Sequence, residues 1–174
     1  DSPIGTGRRG DVCAPGRDSV AHAGVDELSA RFAANPSDRV AFEALEEAHF
    51  VAGRWPALVE LYAQRLAAPE LATAKQAPAR ARLLLRLAQV LEERCEQVDD
   101  AVARYEEAVR LDASLRPALT QLRRIHARSD RWDLALQVAE LEAALPMRPF
   151  ERAAFATEIG ELWLRRLGDP LQAL

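Results

Sequence analysis

The chain has 174 residues, enough for one ordinary domain or at most two with a sizeable hydrophobic core. It contains 34 Ala and 24 Leu but only 6% aromatic residues, a composition that argues against a sheet-based fold. With 29% charged residues and a net charge of −4, it resembles neither a basic nucleic-acid binder nor a highly charged disordered chain. No apolar run approaches the roughly 18 residues of a membrane span, so no membrane insertion is expected.

The first 24 residues differ in composition from the rest. They hold five of the eight glycines and show no apolar periodicity, so residues 1–24 are predicted to form a flexible linker. The chain begins with Asp and has no signal-peptide pattern behind it, which indicates a processed or excised piece. Its two cysteines do not imply secretion, and a cytoplasmic location is expected. From Val25 onward the pattern is helical, and a short helix over Val25–Ala34 is predicted to end before Asn35 and Pro36.

The helical region repeats. Residues 39–69 match residues 116–146 without gaps, at an offset of 77, and a second match has an offset of 72. Halving these offsets gives units of 36 to 39 residues, each predicted to be two helices joined by a turn. Gly53 suits the left-handed end of a first helix, and Pro56 suits the first turn of a second helix. The predicted units cover residues 37–69, 78–113, 115–146 and a truncated 149–174.

These units resemble the tetratricopeptide repeat (TPR). In the second unit Ala101, Tyr105 and Ala108 stand at the small, aromatic and small positions of the family's second helix. The resemblance implies an all-α fold, a right-handed α-solenoid of about four helical hairpins, although a related helical-hairpin array remains an alternative. Glu46 and Arg123 depart from the family by replacing a small residue of the first helix. The predicted repeat core consists of Leu45, His49, Trp55, Leu87, Ala101, Tyr105, Ala108, Leu122, His126, Trp132, Ile159 and Trp163.

Few residues could carry chemistry. His49 and His126 occupy equivalent places in separate units, so packing is favoured over metal binding. Asp99 is better explained as a helix N-cap and Asp100 as a first-turn acid than as a catalytic pair. The two cysteines, at positions 13 and 95, cannot form a zinc site by themselves. No phosphate-binding loop or hydrolase motif occurs in a fitting context, so neither an enzyme activity nor a metal or cofactor is expected.

If the family geometry holds, first helices line a concave face that binds a protein or peptide. The predicted binding residues are Glu43, Glu47, Phe50, Arg82, Leu85, Gln89, Glu92, Arg124, Arg128, Glu161 and Arg165. The Lys, Arg and Asn clamp with which some family members bind chaperone C-termini is absent as a set, so that partner is not implied. The acidic end of this face suits a basic, apolar segment.

Other functions stay open. The chain could instead be an accessory segment of a larger enzyme or secretion-system protein. RNA binding through helical repeats is disfavoured by the net charge of −4. An array that stops at Leu174 leaves the apolar stripe of Ile159, Leu162 and Trp163 without a following helix, which predicts either a longer parent protein or self-association at this end.

Overall fold

The structure, a computed structural model, describes the backbone of residues 17–164 and the side chains of residues 24–164. This part of the chain is all-helical and contains no strand. Residues 1–16 of the predicted linker and residues 165–174 of the fourth unit lie outside the described residues. The helices are α1 (Arg17–Ala34), α2 (Arg39–Val51), α3 (Trp55–Leu66), α4 (Ala77–Glu93), α5 (Val98–Leu111), α6 (Arg116–Arg128), α7 (Trp132–Ala143) and α8 (Pro149–Leu162).

Helix α1 begins at Arg17, eight residues before the predicted start at Val25. The predicted linker, residues 1–24, therefore extends too far, because residues 17–24 belong to α1. The linker prediction rests on the five glycines and the missing apolar periodicity of residues 1–24, yet a single glycine such as Gly24 costs a helix only about 1 kcal/mol relative to Ala. The alanines at positions 21 and 23 favour the helix and offset part of that cost.

The helical hairpins repeat in the structure. Each α-helix packs against the next one along the chain, from α1 through α8. The bounds of α6 and α7 are those of α2 and α3 shifted by 77 residues, and α8 begins 72 residues after α4. The repeat found in the sequence is therefore a repeat of helical hairpins. We call α2, α4, α6 and α8 the first helices and α3, α5 and α7 the second helices.

The turns inside the first and third hairpins have the same geometry. Gly53 and Asp130 both have positive φ angles, of 65° and 55°, in the left-handed region. The amide of the following residue donates a hydrogen bond of 2.9 Å to the carbonyl oxygen of His49 in one turn and of His126 in the other. This bond satisfies a carbonyl group at the helix end. The predicted left-handed residue at Gly53 is confirmed.

One capping prediction is wrong. Gln97 occupies the N-cap of α5, and Asp99 lies one residue inside the helix, beside Asp100 in the first turn. The turn before α5 is one residue longer than its counterpart before α3, and Glu96 takes a positive φ angle of 56° there. Helix α5 starts at Val98, and both aspartates complement the positive end of the helix dipole.

A continuous core runs from α1 to α6. Among the predicted core residues, those buried are Leu45, Leu87, Ala101, Tyr105, Ala108, Leu122 and His126, and those half-buried are His49, Trp55, Trp132, Ile159 and Trp163. Two short 3-10 turns, Pro69–Ala72 and Ala74–Gln76, join the first two hairpins and place Leu71 in this core. Helix α8 has no fully buried residue.

Candidate binding cleft

The first helices α2 and α4 enclose a cleft of about 470 Å³, here called the α2–α4 cleft. Four predicted binding residues line it: Glu43, Glu47, Phe50 and Gln89. Its volume lies in the range of sites that hold small ligands or a few side chains of a partner. The structure therefore brings together the predicted residues of the first unit with one from the second.

Phe50 is the main apolar group at this cleft. Its side chain is 54% exposed, although its ring meets the ring of Trp55 edge to face at a centroid distance of 5.5 Å. The guanidinium of Arg94 lies over the Trp55 ring, 5.0 Å from the ring centroid. Trp55 itself is half-buried and packs against the core. Trp55 thus supports the exposed ring of Phe50 at the edge of the cleft.

The carboxylates of the cleft differ in their hydrogen-bond and ion-pair partners. Glu46 accepts a hydrogen bond from the Tyr62 hydroxyl at 2.6 Å and pairs with Arg86 at 3.0 Å. Burial is the main cause, and Glu46 a second one, of a Tyr62 pKa raised above its ordinary value. Glu47 and Glu93 are exposed and have no hydrogen bond or ion pair among the described residues. Arg94 also lines the cleft, with its guanidinium over Trp55, so two carboxylates face one guanidinium and negative charge remains in excess close to Phe50.

A smaller cavity of about 330 Å³ adjoins the N-terminal ends of the same two helices. Arg39, Arg65 and the predicted binding residue Arg82 line it. Arg39 pairs with Glu43 at 2.7 Å, and Arg65 pairs with a glutamate in the connecting 3-10 turn at 2.5 Å. Arg82 is exposed and has no such partner among the described side chains. The free charge at this end is therefore positive.

Between α4 and α6, the predicted binding residues partly engage each other. The carboxylate of Glu92 lies 2.6 Å from the guanidinium of Arg128 and also accepts a hydrogen bond of 3.0 Å from Tyr105. The Glu92 side chain is only 11% exposed, so its carboxylate serves mainly to join the helices. Leu85 is half-buried and Arg124 is exposed.

Three residues that sequence reasoning did not propose connect α6, α7 and α8. Arg123 is buried and pairs with Glu142 at 3.0 Å and with Glu158 at 2.7 Å. Its guanidinium also lies 5.2 Å from the ring centroid of Phe155. The signal in the sequence was the departure of Arg123 from a small residue, which marks a side chain that needs partners. Glu161 is exposed and lines a cavity of about 390 Å³ between α6 and α8, whereas Arg165 lies outside the described residues.

The end of the array carries an apolar cavity of about 520 Å³ between α7 and α8. Its walls include Leu136, Phe155, Ile159 and Trp163. The predicted self-association concerns this end and stays a prediction.

The two helical histidines are buried to different degrees. His126 is buried and His49 half-buried, and the Nδ1 atom of each lacks a hydrogen-bond partner among the described residues. Burial is the main cause of a lowered pKa for both, and a nearby guanidinium, Arg54 or Arg131, adds to it. Both rings are therefore neutral at pH 7. Among the described side chains, no group of three or more His, Cys, Asp or Glu residues could hold a metal ion.

Comparison with protein-family models gives no match, and no curated protein matches the sequence. The helices formed by residues 17–164 include none with both the length and the apolar character to cross a membrane. The repeated hairpins and the α2–α4 cleft are thus the features from which a function can be inferred.

Proposed function

We propose that this chain is a non-catalytic protein-interaction module, a right-handed α-solenoid of TPR-like hairpins that binds a segment of a partner protein on its first helices. The helices of the first and third hairpins have the same lengths, and each helix packs on the next one along the chain. Both observations support a regular stack. In such a stack the first helices form the concave face.

The observation that carries the proposal is the exposed Phe50 ring in a cleft beside unpaired carboxylates. An exposed apolar side chain in a cavity of this size, next to charges without partners, is typical of a surface that a partner covers. The buried ionisable side chains, in contrast, pair with each other, as Arg123 and Glu142 do, or pack within the helices, as His126 does. A scaffold role, alone or as an accessory segment of a larger protein, uses the same cleft.

Site-specific photo-cross-linking tests this proposal. A photoreactive amino acid replaces Gln89, which lines the α2–α4 cleft, and in a matched variant it replaces Gln137, which is exposed on the second helix α7. After irradiation in cells that make the protein, we expect a discrete adduct with a partner from position 89 and none from position 137. Equal adducts from both positions, or none from position 89, would contradict the proposal.

A further inference from the structure

We propose that the α2–α4 cleft and the adjoining cavity at Arg82 together select an extended partner segment, with a basic residue beside an apolar one at the Phe50 end and an acidic residue about five positions away at Arg82. This inference rests on the proposed function and adds the chemistry of the partner.

The preference at the Phe50 end follows from which charges are already neutralised. Glu46 is occupied by Tyr62 and Arg86, so it offers little to a partner. The unpaired carboxylates of Glu47 and Glu93 remain, and they belong to different helices that flank the cleft. Together these two carboxylates outweigh the single guanidinium of Arg94 in the cleft, so a Lys or Arg of the partner is favoured there while a neighbouring apolar side chain packs on Phe50.

The preference at the other end has the opposite sign. Arg39 and Arg65 are paired with carboxylates of this chain, whereas Arg82 is exposed without a hydrogen bond or ion pair among the described residues. A partner residue with a carboxylate can bind its guanidinium in a bidentate manner. A uniformly basic segment, or a nucleic-acid strand, would meet a repulsive charge at one of the two ends.

The spacing follows from helix geometry. Arg82 and Glu93 are eleven residues apart on α4, which corresponds to about 16 Å at the rise of an α-helix. An extended chain advances about 3.3 Å per residue and covers that distance in about five residues. The guanidinium of Arg82, the carboxylate of Glu93 and the ring of Phe50 therefore define a short recognition sequence.

The test starts from a random 12-residue peptide library displayed on phage and selected on the immobilised full chain. We expect enrichment of peptides with a basic residue next to an apolar one and an acidic residue four to six positions away. Affinities of the enriched peptides are then measured with the variants Glu47→Gln/Glu93→Gln, Phe50→Ala and Arg82→Gln. Each lost charge pair at an exposed site is expected to weaken binding by about two- to fivefold. Circular dichroism establishes that each variant keeps its helix content.

Two matched variants lie on second helices, Glu140→Gln on α7 and Arg110→Gln on α5, where both side chains are exposed. These should leave the affinity unchanged. The charge reversal Arg82→Glu should shift the preference towards peptides with Lys in place of the acidic residue.

The outcomes separate the inference from the proposed function. Peptides that lose affinity with Phe50→Ala but not with the charge variants would overturn the charge pattern and leave the proposed function standing. Peptides that respond to neither change, or only to the second-helix variants, would overturn the assignment of this cleft as well. Failure of the library to yield any binder would contradict both.

Discussion

The carboxylate of Glu92 on α4 lies 2.6 Å from the guanidinium of Arg128 on α6, so an ion pair joins two successive first helices. Ion pairs also join the first helices at the other two junctions within the described residues. Glu46 pairs with Arg86 between α2 and α4, and Arg123 pairs with Glu158 between α6 and α8. In the third pair the acid and the base have exchanged helices. Successive first helices are thus joined by ion pairs in addition to the apolar core.

We expect the tyrosine beneath this pair to contribute more than the exposed arginine. Tyr105 is fully buried and donates a hydrogen bond to the Glu92 carboxylate, so Tyr105→Phe should lower the free energy of unfolding by about 1.5–3 kcal/mol. Arg128 is 61% exposed, and Arg128→Gln should cost less, since exposed ion pairs contribute about 0–1 kcal/mol. Urea unfolding followed by circular dichroism measures both. A larger loss from Arg128→Gln would show that the ion pair dominates.

The pair between Arg123 and Glu142 is a buried one. Their side chains are 7% and 4% exposed, so Arg123→Ala leaves a buried carboxylate with weaker partners such as Thr120. We expect this change to cost about 3 kcal/mol in the free energy of unfolding. The double variant Arg123→Leu/Glu142→Leu removes both charges and should cost less than the single change. The prediction fails if the double variant is the less stable of the two in urea.

The helices were predictable because their causes are local. Apolar residues three or four apart, Gly53 in a turn and a repeat at an offset of 77 all lie in short stretches of sequence. The start of α1 was missed because Gly24 resembled a linker residue although its helix tolerates it. The N-cap of α5 was missed because Gln97, which occupies it, makes no side-chain capping hydrogen bond and is not a typical capping residue, whereas Asp99 is one.

The ion pairs were not predictable in the same way. Glu46 and Arg123 looked like departures from the repeat, and their partners lie far along the chain: Arg86 is 40 residues from Glu46, and Glu158 is 35 residues from Arg123. Only the folded stack brings these charges together. Glu92 and Arg128 are likewise far apart in sequence, 36 residues. Each was therefore predicted to bind a partner protein, although in the structure they bind each other.

The buried histidines should make stability depend on pH. Burial lowers the pKa of His49 and His126 in the folded state. Below about pH 6.5, the pKa of a histidine in the unfolded chain, the unfolded state therefore binds more protons than the folded state. The contribution of the two neutral histidines to the free energy of unfolding is fully present above pH 6.5 and is lost as the pH falls through their folded-state pKa. For His126, Arg131 adds to the lowering and Glu106 opposes it.

Urea unfolding between pH 7 and pH 5.5 measures this effect. We expect the free energy of unfolding to decrease over that range, by at most about 1.4 kcal/mol per pH unit for each histidine. His126→Gln should reduce the slope. The Asp38 carboxylate, whose pKa is lowered mainly by a hydrogen bond from the Ala41 amide, loses its charge only at lower pH and does not contribute in this range. A stability that is flat or increases towards pH 5.5 would contradict the assignment.

Equivalent positions of the repeat should respond according to their burial. Leu45 and Leu122 occupy the same place in α2 and α6 and are 2% and 3% exposed, whereas Ile159 in α8 is half-buried. Leu45→Ala and Leu122→Ala should each lower the free energy of unfolding by about 2–5 kcal/mol, because each leaves a cavity in the core. Ile159→Ala should cost less, since α8 has no fully buried residue and can adjust around the smaller side chain. Urea unfolding of the three variants decides the order, and an Ile159→Ala loss as large as the other two would mean that this end of the stack is packed as tightly as its centre.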